Sequence, residues 1–318
     1  MRILLIDTDS KIPNIALMKL STYHKNLGNT VDFIRLNDKP FEYKDTHDIA
    51  YGSIIFSKNK NNVKGNVFLG GTGVSLTDTL TDEVEHLMPD YSLYPENIHS
   101  IGFLTRGCIR DCSFCVVPEK EGLIRFNAHV TEFYNPNLKR IRILDNNLLA
   151  YSGWKDCLLE LELLKVPIKF ENFDFRLLTE EKAEAISKVN VYGDFIFALD
   201  NPRDMPIFKK ISPILTKYFP PWRPKFYILV GYNTTLEEDI KRVKLCWDRK
   251  FLPYITRHEN YLQSEYKNFY IDLCAWCNQP WFVKTGDFRH FMGVRYKEGH
   301  PRIKEESDLF EYLWNKGE

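Results

Sequence analysis

From residue 98 onward the chain alternates short apolar runs with amphipathic stretches, and this alternation restricts the fold class more than any single motif does. The runs at 100–104, 140–144, 168–173, 195–199, 226–230 and 252–256 have strand length, and amphipathic segments near 154–164, 179–188, 204–218 and 235–249 separate the later ones. Repeated strand–helix units with short loops predict parallel strands. A first helix is expected near 128–134. Thr235 and Glu238 form a capping box that starts the helix near 235–249, with Glu237, Glu238 and Asp239 at its positive end.

The first hundred residues open in the same way. Residues 2–7, Arg-Ile-Leu-Leu-Ile-Asp, read as a buried strand. Pro13, Ile15, Leu17, Met18, Leu20, Tyr23 and Leu27 predict a helix closed by Gly28, and 30–36 is the next strand. The runs at 53–56 and 66–69 extend a parallel sheet that buries Ile3, Leu5, Val31, Phe33 and Ile55. The linkers at 37–48 and 57–65 are too short and polar for full crossover helices, so one face of this sheet is expected to be poorly covered. Gly70-Gly71-Thr72-Gly73 follows the last run and reads as an ordinary turn.

The densest chemistry lies in Thr105-Arg-Gly-Cys108-Ile-Arg-Asp-Cys112-Ser-Phe-Cys115-Val-Val-Pro118, which places three of the chain's seven cysteines within eight residues. On a helix these cysteines would share one face, but Gly107 and Pro118 are loop punctuation and Arg110-Asp111 interrupts the stripe. A closed zinc site needs four ligands and the run supplies three. Three thiolates on a 4Fe-4S cluster leave one iron without a protein ligand, and an open metal position activates small molecules. The odd, clustered cysteines and the lack of a charged segment leading into an apolar one at the start predict a reducing cytoplasm. Lys+Arg 43 balances Asp+Glu 43, so no overall field draws the chain to nucleic acid or membrane. No apolar run approaches the roughly 20 residues of a membrane-spanning helix.

Cys108-x3-Cys112-x2-Cys115, with Phe114 before the last cysteine, resembles the cluster motif of the radical S-adenosylmethionine (radical SAM) superfamily. The resemblance implies an α/β fold: a partial (β/α)6 barrel at 98–258, preceded at 1–97 by an abbreviated Rossmann-like, cobalamin-binding-like domain and followed at 259–318 by an aromatic-rich extension. It implies that Cys108, Cys112 and Cys115 bind three irons of a 4Fe-4S cluster while SAM chelates the fourth. One electron, from a donor such as flavodoxin or ferredoxin, then splits SAM into methionine and a 5'-deoxyadenosyl radical. The radical abstracts hydrogen from a substrate that the resemblance does not name.

Further SAM contacts are implied at the strand ends. Phe114 would pack against adenine, and Asp145 and Asn146 stand where the superfamily has its Gly-Gly-Glu-type segment. Arg176 would pair with the SAM carboxylate or, on the ordinary reading, with Glu180. Asp200 would accept from the ribose, and Gly231 in Val230-Gly231-Tyr232 resembles the adenine segment. Alanine at Asp145 or Arg176 is expected to weaken SAM binding without removing the cluster.

Gly70–Gly73 and Pro89-Asp90-Tyr91 resemble parts of the cobalamin-binding-like domain, but no Asp-x-His-x-x-Gly motif supplies a histidine to cobalt. The domain is expected to dock without cobalamin; a cobalamin-dependent radical SAM methyltransferase is the alternative. A zinc-stabilised module binding RNA or protein is the rival from another class. Cys274 and Cys277 are candidate ligands of an auxiliary cluster, although the aromatic stretch around them reads better as a cover for the barrel. Leu309, Phe310, Leu313 and Trp314 predict a docked terminal helix.

Overall fold

Arg2–Asp7 (β1) is buried at every position but the first, because its neighbours pair with it on both sides. The computed structural model describes residues 1–316, which divide into two units, 1–171 and 172–316. In the first, helix α1 (Ile15–Asn26) is capped by the Asn14 side chain and ends before Gly28, whose φ of 76° lets the chain turn back. Strands β2 (Thr30–Arg35), β4 (Ile49–Ser53) and β6 (Phe68–Gly70) join β1 in a parallel sheet of order β2-β1-β4-β6, with β3 (Phe41–Glu42) pairing only with β5 (Val63–Lys64).

One sheet face buries Ile3 and Leu5 against Leu17 of α1, with Val31 and Phe33 alongside, at about 1.5–3 kcal/mol for each fully buried side chain. The other face is better covered than the short linkers predict. Tyr43 and Val63, in and beside the small β3–β5 pair, pack on Leu4, Ile6 and Ala50, so two extended segments replace a crossover helix. The strand expected at 53–56 lies four residues earlier, and Ile54 rather than Ile55 is fully buried. Gly52 leaves room for a neighbour: a Cβ there would meet the end of the Leu69 side chain at 2.8 Å.

The first unit continues with α2 (Asp82–Glu85), β7 (His99–Gly102), β8 (Thr105–Arg106), α3 (Val117–Glu121), β9 (Arg125–Phe126), β10 (Arg140–Ile143), α4 (Trp154–Leu164) and β11 (Ile168–Phe170). Strands β11-β10-β7 form a parallel sheet. In place of the helix expected near 128–134 there is a single 3-10 turn at Val130–Glu132, and Pro136 soon after disfavours a longer helix. Tyr91 knits the early and late parts of the unit, its hydroxyl donating to Phe133 O and accepting from Ile101 N.

The second unit contains α5 (Glu180–Lys188), β12 (Phe195–Ala198), α6 (Met205–Tyr218), β13 (Pro224–Val230), α7 (Leu236–Asp248), β14 (Leu252–Arg257), α8 (Lys267–Cys277), α9 (Pro280–Val283), α10 (Phe288–Arg295) and α11 (Pro301–Lys316). Strands β12-β13-β14 are parallel, and Phe173 adds one parallel bridge to Phe197. Phe197, Phe226 and Phe251 stack through its core. The capping box at Thr235 and Glu238 starts α7. Phe310 and Leu313 bury one side of α11.

The fold is thus α/β with mostly parallel sheets, and all six strands expected after residue 98 are present. They pair three and three, and among the described residues no ladder closes them into a barrel. No described helix is long and apolar enough to cross a membrane.

Candidate functional site

The cysteine run leaves β8 as a loop whose two ends are tied together. β8 pairs antiparallel with β9, and Cys108 N donates to Gly122 O at 3.1 Å. Gly107 has φ 88°, and a Cβ on it would lie 2.4 Å from Leu123 O, so another residue would open the loop base. Residues 107–116 are not helical, which excludes the buried helical stripe; α3 begins only at Val117, with Pro118 in its first turn.

Asp145, Asn146 and Asn147, which follow β10, act as a strap under this loop. Asp145 is 3% exposed and accepts from Leu104 N (2.8 Å), Thr105 N (2.8 Å) and Thr105 Oγ1 (2.6 Å). Burial pushes its carboxyl up to about 7, against the opposing pull of those bonds. Asn146 Oδ1 accepts from Gly107 N at 3.1 Å, and Asn147 Nδ2 donates to Cys108 Sγ at 3.4 Å. The Cys108 sulfur also accepts from Arg110 N at 3.3 Å. The structure therefore turns Asp145 and the Asn146 carbonyl toward the protein chain, in place of the SAM amino group expected from the sequence.

Arg106, just before the loop, binds Glu85 (2.8 Å), Glu121 (3.2 Å) and Asn127 (3.1 Å) while stacking on Phe103. Glu85 also pairs with buried Lys19 of α1 at 3.0 Å. Breaking such a half-buried network strands charges at a cost of several kcal/mol, about 3–5 for a fully buried pair.

Cys108 and Cys112 are partly exposed and Cys115 is exposed. Among the described residues no three Cys, His, Asp or Glu side chains are gathered as a metal-holding group, so the structure places these sulfurs on one loop without bringing them together. The donor set nevertheless suits a thiolate-bound cluster: three soft ligands lie on one loop, and N–H groups reach the first sulfur. Around them Ile109, Phe114 (41% exposed), Val116 and Leu123 leave apolar surface uncovered.

The remaining expected contacts lie in the second unit, where Arg176 and one oxygen of Asp200 bond to protein groups. Arg176 makes a two-point pair with Asp174 (2.7 and 3.2 Å) and reaches Asp204 at 3.0 Å, while Glu180 pairs with Lys217. Asp174 takes the guanidinium because it caps the turn that carries Arg176. Asp200 Oδ1 accepts from Leu229 N at 2.8 Å, and burial raises its pKa. Gly231 has φ 72°, and a Cβ there would meet Tyr261 at 3.0 Å.

Sequence reasoning missed the group that holds these strand ends. Fully buried Arg242 donates to Leu199 O (2.9 Å), Asp200 O (2.7 Å) and Leu229 O (2.9 Å) and pairs with Asp239. Asp239 also accepts from Tyr270 Oη at 2.7 Å and from Gly231 N at 3.3 Å. An arginine three residues after an aspartate on an amphipathic helix reads as a surface pair; only the burial of Leu236, Ile240 and Val243 beside it hints otherwise.

At the carboxyl end of the N-terminal sheet the chain's own side chains fill the space. Asp9 accepts from Ile55 N, Phe56 N and Asn59 Nδ2, and Asn14 donates to Ser10 and Ser53. Gly71 and Gly73 lie against Ile54 and Phe56 too closely for any Cβ, which accounts for the glycine-rich turn. Cys274 and Cys277 lie on α8; Cys277 is buried, and its thiol pKa is raised by that burial.

Comparison with models of known protein families finds no match, and comparison with curated proteins finds none either.

Proposed function

We propose that the protein is a radical SAM enzyme in which Cys108, Cys112 and Cys115 hold a 4Fe-4S cluster, for reductive cleavage of SAM and hydrogen abstraction from a substrate. The observation that carries this reading is the loop itself: three thiols on a non-helical segment, anchored at Leu104, Thr105, Gly107 and Cys108 by three consecutive residues of another strand end. The anchoring fixes the base of the loop from which the three thiols project, and a ligand-bearing loop requires such a base. When bound, the cluster supplies the electron for SAM cleavage.

The chain's own residues then have separate tasks. Asp145 and Asn146 fix the loop base, and the Asn147 and Arg110 N–H groups stabilise negative charge on the Cys108 sulfur. Phe114, beside the last cysteine, is the candidate for packing against adenine. Asp200 and Gly231, set by Arg242, remain the candidates for ribose and adenine contacts at the strand ends. A partial (β/α)6 barrel at 98–258 belongs to the same proposal, supported by six parallel strands in chain order. The polar side chains that fill the N-terminal strand ends favour a domain working without cobalamin. A reducing cytoplasm and a low-potential electron donor belong to the same proposal, on the cysteine pattern alone.

Anaerobic reconstitution followed by iron and sulfide counting tests the cluster. Dithionite-dependent formation of 5'-deoxyadenosine from SAM, abolished by alanine at Cys108, Cys112 or Cys115, tests the activity. A colourless protein holding one zinc would instead support the zinc-stabilised binding module.

A further inference from the structure

Parallel strands usually read as continuous apolar runs. β10 departs from that rule: Arg140-Ile-Arg-Ile143 alternates, with Ile141 and Ile143 buried on one face and both arginines on the other. In register, Arg140 lies beside His99 of β7 and Arg142 beside Lys169 of β11. One face of the three-stranded sheet thus gathers two guanidiniums, an ammonium and an imidazole. Half-burying cations costs hydration free energy, and an apolar residue would serve a purely structural sheet better.

Glu171, just past β11, supplies a carboxylate to two of them, Arg142 and Lys169. Arg142 Nε reaches its Oε1 at 2.6 Å, and Lys169 Nζ reaches the same oxygen at 3.3 Å, so two positive charges share one negative charge. Arg142 spends only Nε on this contact. Among the described residues its two terminal nitrogens have no hydrogen-bond partner, and its side chain keeps 22% exposure beside 30% for Lys169. The end of a guanidinium presents two parallel N–H groups, the match for an oxyanion. These cations are felt at His99, whose pKa is lowered by burial and then by Arg142, Arg140 and Lys169, against the opposing pull of Glu171.

We infer that this sheet face binds an oxyanion group of the substrate, a phosphate or a carboxylate, with Arg142 as the two-point clamp and Lys169 as the adjacent charge. Glu171 is a positioning residue that holds the inner edge of the guanidinium so that its end faces outward. As a substrate group the anion rests on the radical SAM reading; as a binding site it rests on the sheet face alone.

The test uses the full chain without iron, titrated separately with inorganic phosphate and with succinate. Binding is followed by calorimetry and by the NMR shift of the His99 imidazole. Saturable binding that moves the His99 signal is expected, with affinity falling about tenfold or more in Arg142→Gln and in Lys169→Gln. Lys44→Gln, at an exposed lysine of the same unit, should leave it unchanged. Arg142→Lys keeps the charge but loses the two-point edge, so an intermediate loss is expected there even if Arg142→Gln fails to fold. Tighter phosphate binding assigns a phosphoryl group, and tighter succinate binding assigns a carboxylate. Anion binding that is absent, leaves the His99 signal unmoved, or is equal in wild type and both charge-altering variants overturns the inference. Failure to bind iron, with anion binding intact, would remove the radical SAM reading and leave the site standing.

Discussion

Asp145→Asn tests the strap at its most buried point. The wild-type carboxyl is 3% exposed, accepts three hydrogen bonds, and is pushed by burial from 3.8 up to about 7. Because the folded pKa lies above the unfolded one, the folded chain keeps a proton that the unfolded chain has released between those values. The stability this confers is full below about 3.8 and is lost as pH rises through about 7. The whole interval corresponds to about 4 kcal/mol, and the part between pH 5 and pH 7 to about 2 kcal/mol. Asparagine matches the shape and cannot ionise, so it lacks this slope, while its amide sets a donor against Thr105 N–H at a cost of about 1–3 kcal/mol. Urea unfolding of the iron-free chain, wild type beside variant, should show the variant less stable at pH 5, with the gap closing or reversing by pH 8.5. The carboxyl carbon shift of Asp145 measures the same titration directly. A stability gap independent of pH, or a carboxyl that titrates near 4, refutes the reasoning.

Arg242→Met should destabilise the second unit by about 3–5 kcal/mol, since Asp239 and the carbonyls of Leu199, Asp200 and Leu229 lose their donor. Thermal melting checks it, and a melting temperature within a degree of wild type would count against the network. Cys274→Ala should leave the iron count of reconstituted protein unchanged, because its helical neighbour Cys277 is buried in the core; a loss of iron would establish an auxiliary cluster.

The strand and helix pattern after residue 98 was legible because hydrophobic periodicity reports burial directly, and α4, α5, α6 and α7 fall where amphipathic spacing places them. The misplaced element in the N-terminal sheet has one local cause. Gly52 interrupts a run whose other members are buried or half-buried, and the side chain of Leu69 that packs against it lies seventeen positions away. The cover supplied by β3 and β5 was illegible for a similar reason: two residues apiece carry no periodicity, and only tertiary pairing makes them strands.

The site divides along the same line. The loop that bears Cys108, Cys112 and Cys115 was readable as a loop, since glycine, proline and an interrupted stripe all argue against a helix. Asp145 and Asn146 were singled out at the right strand end but given to a ligand, when short carboxylate and amide side chains in succession are also the residues best suited to take up backbone N–H groups. What decides between these uses is depth, and depth depends on what the rest of the chain piles over the strand end. Arg242 carries the argument further: its partners are carbonyls 13 to 43 positions away, invisible to any local pattern. Sequence therefore identifies groups that can do chemistry more readily than groups that hold them, because holding depends on distant backbone. Arg142 stands between the two cases, for its alternation with Ile141 and Ile143 is written in the sequence, whereas the shared oxygen of Glu171, which leaves its outer edge open, is supplied only by the register of β10 with β11.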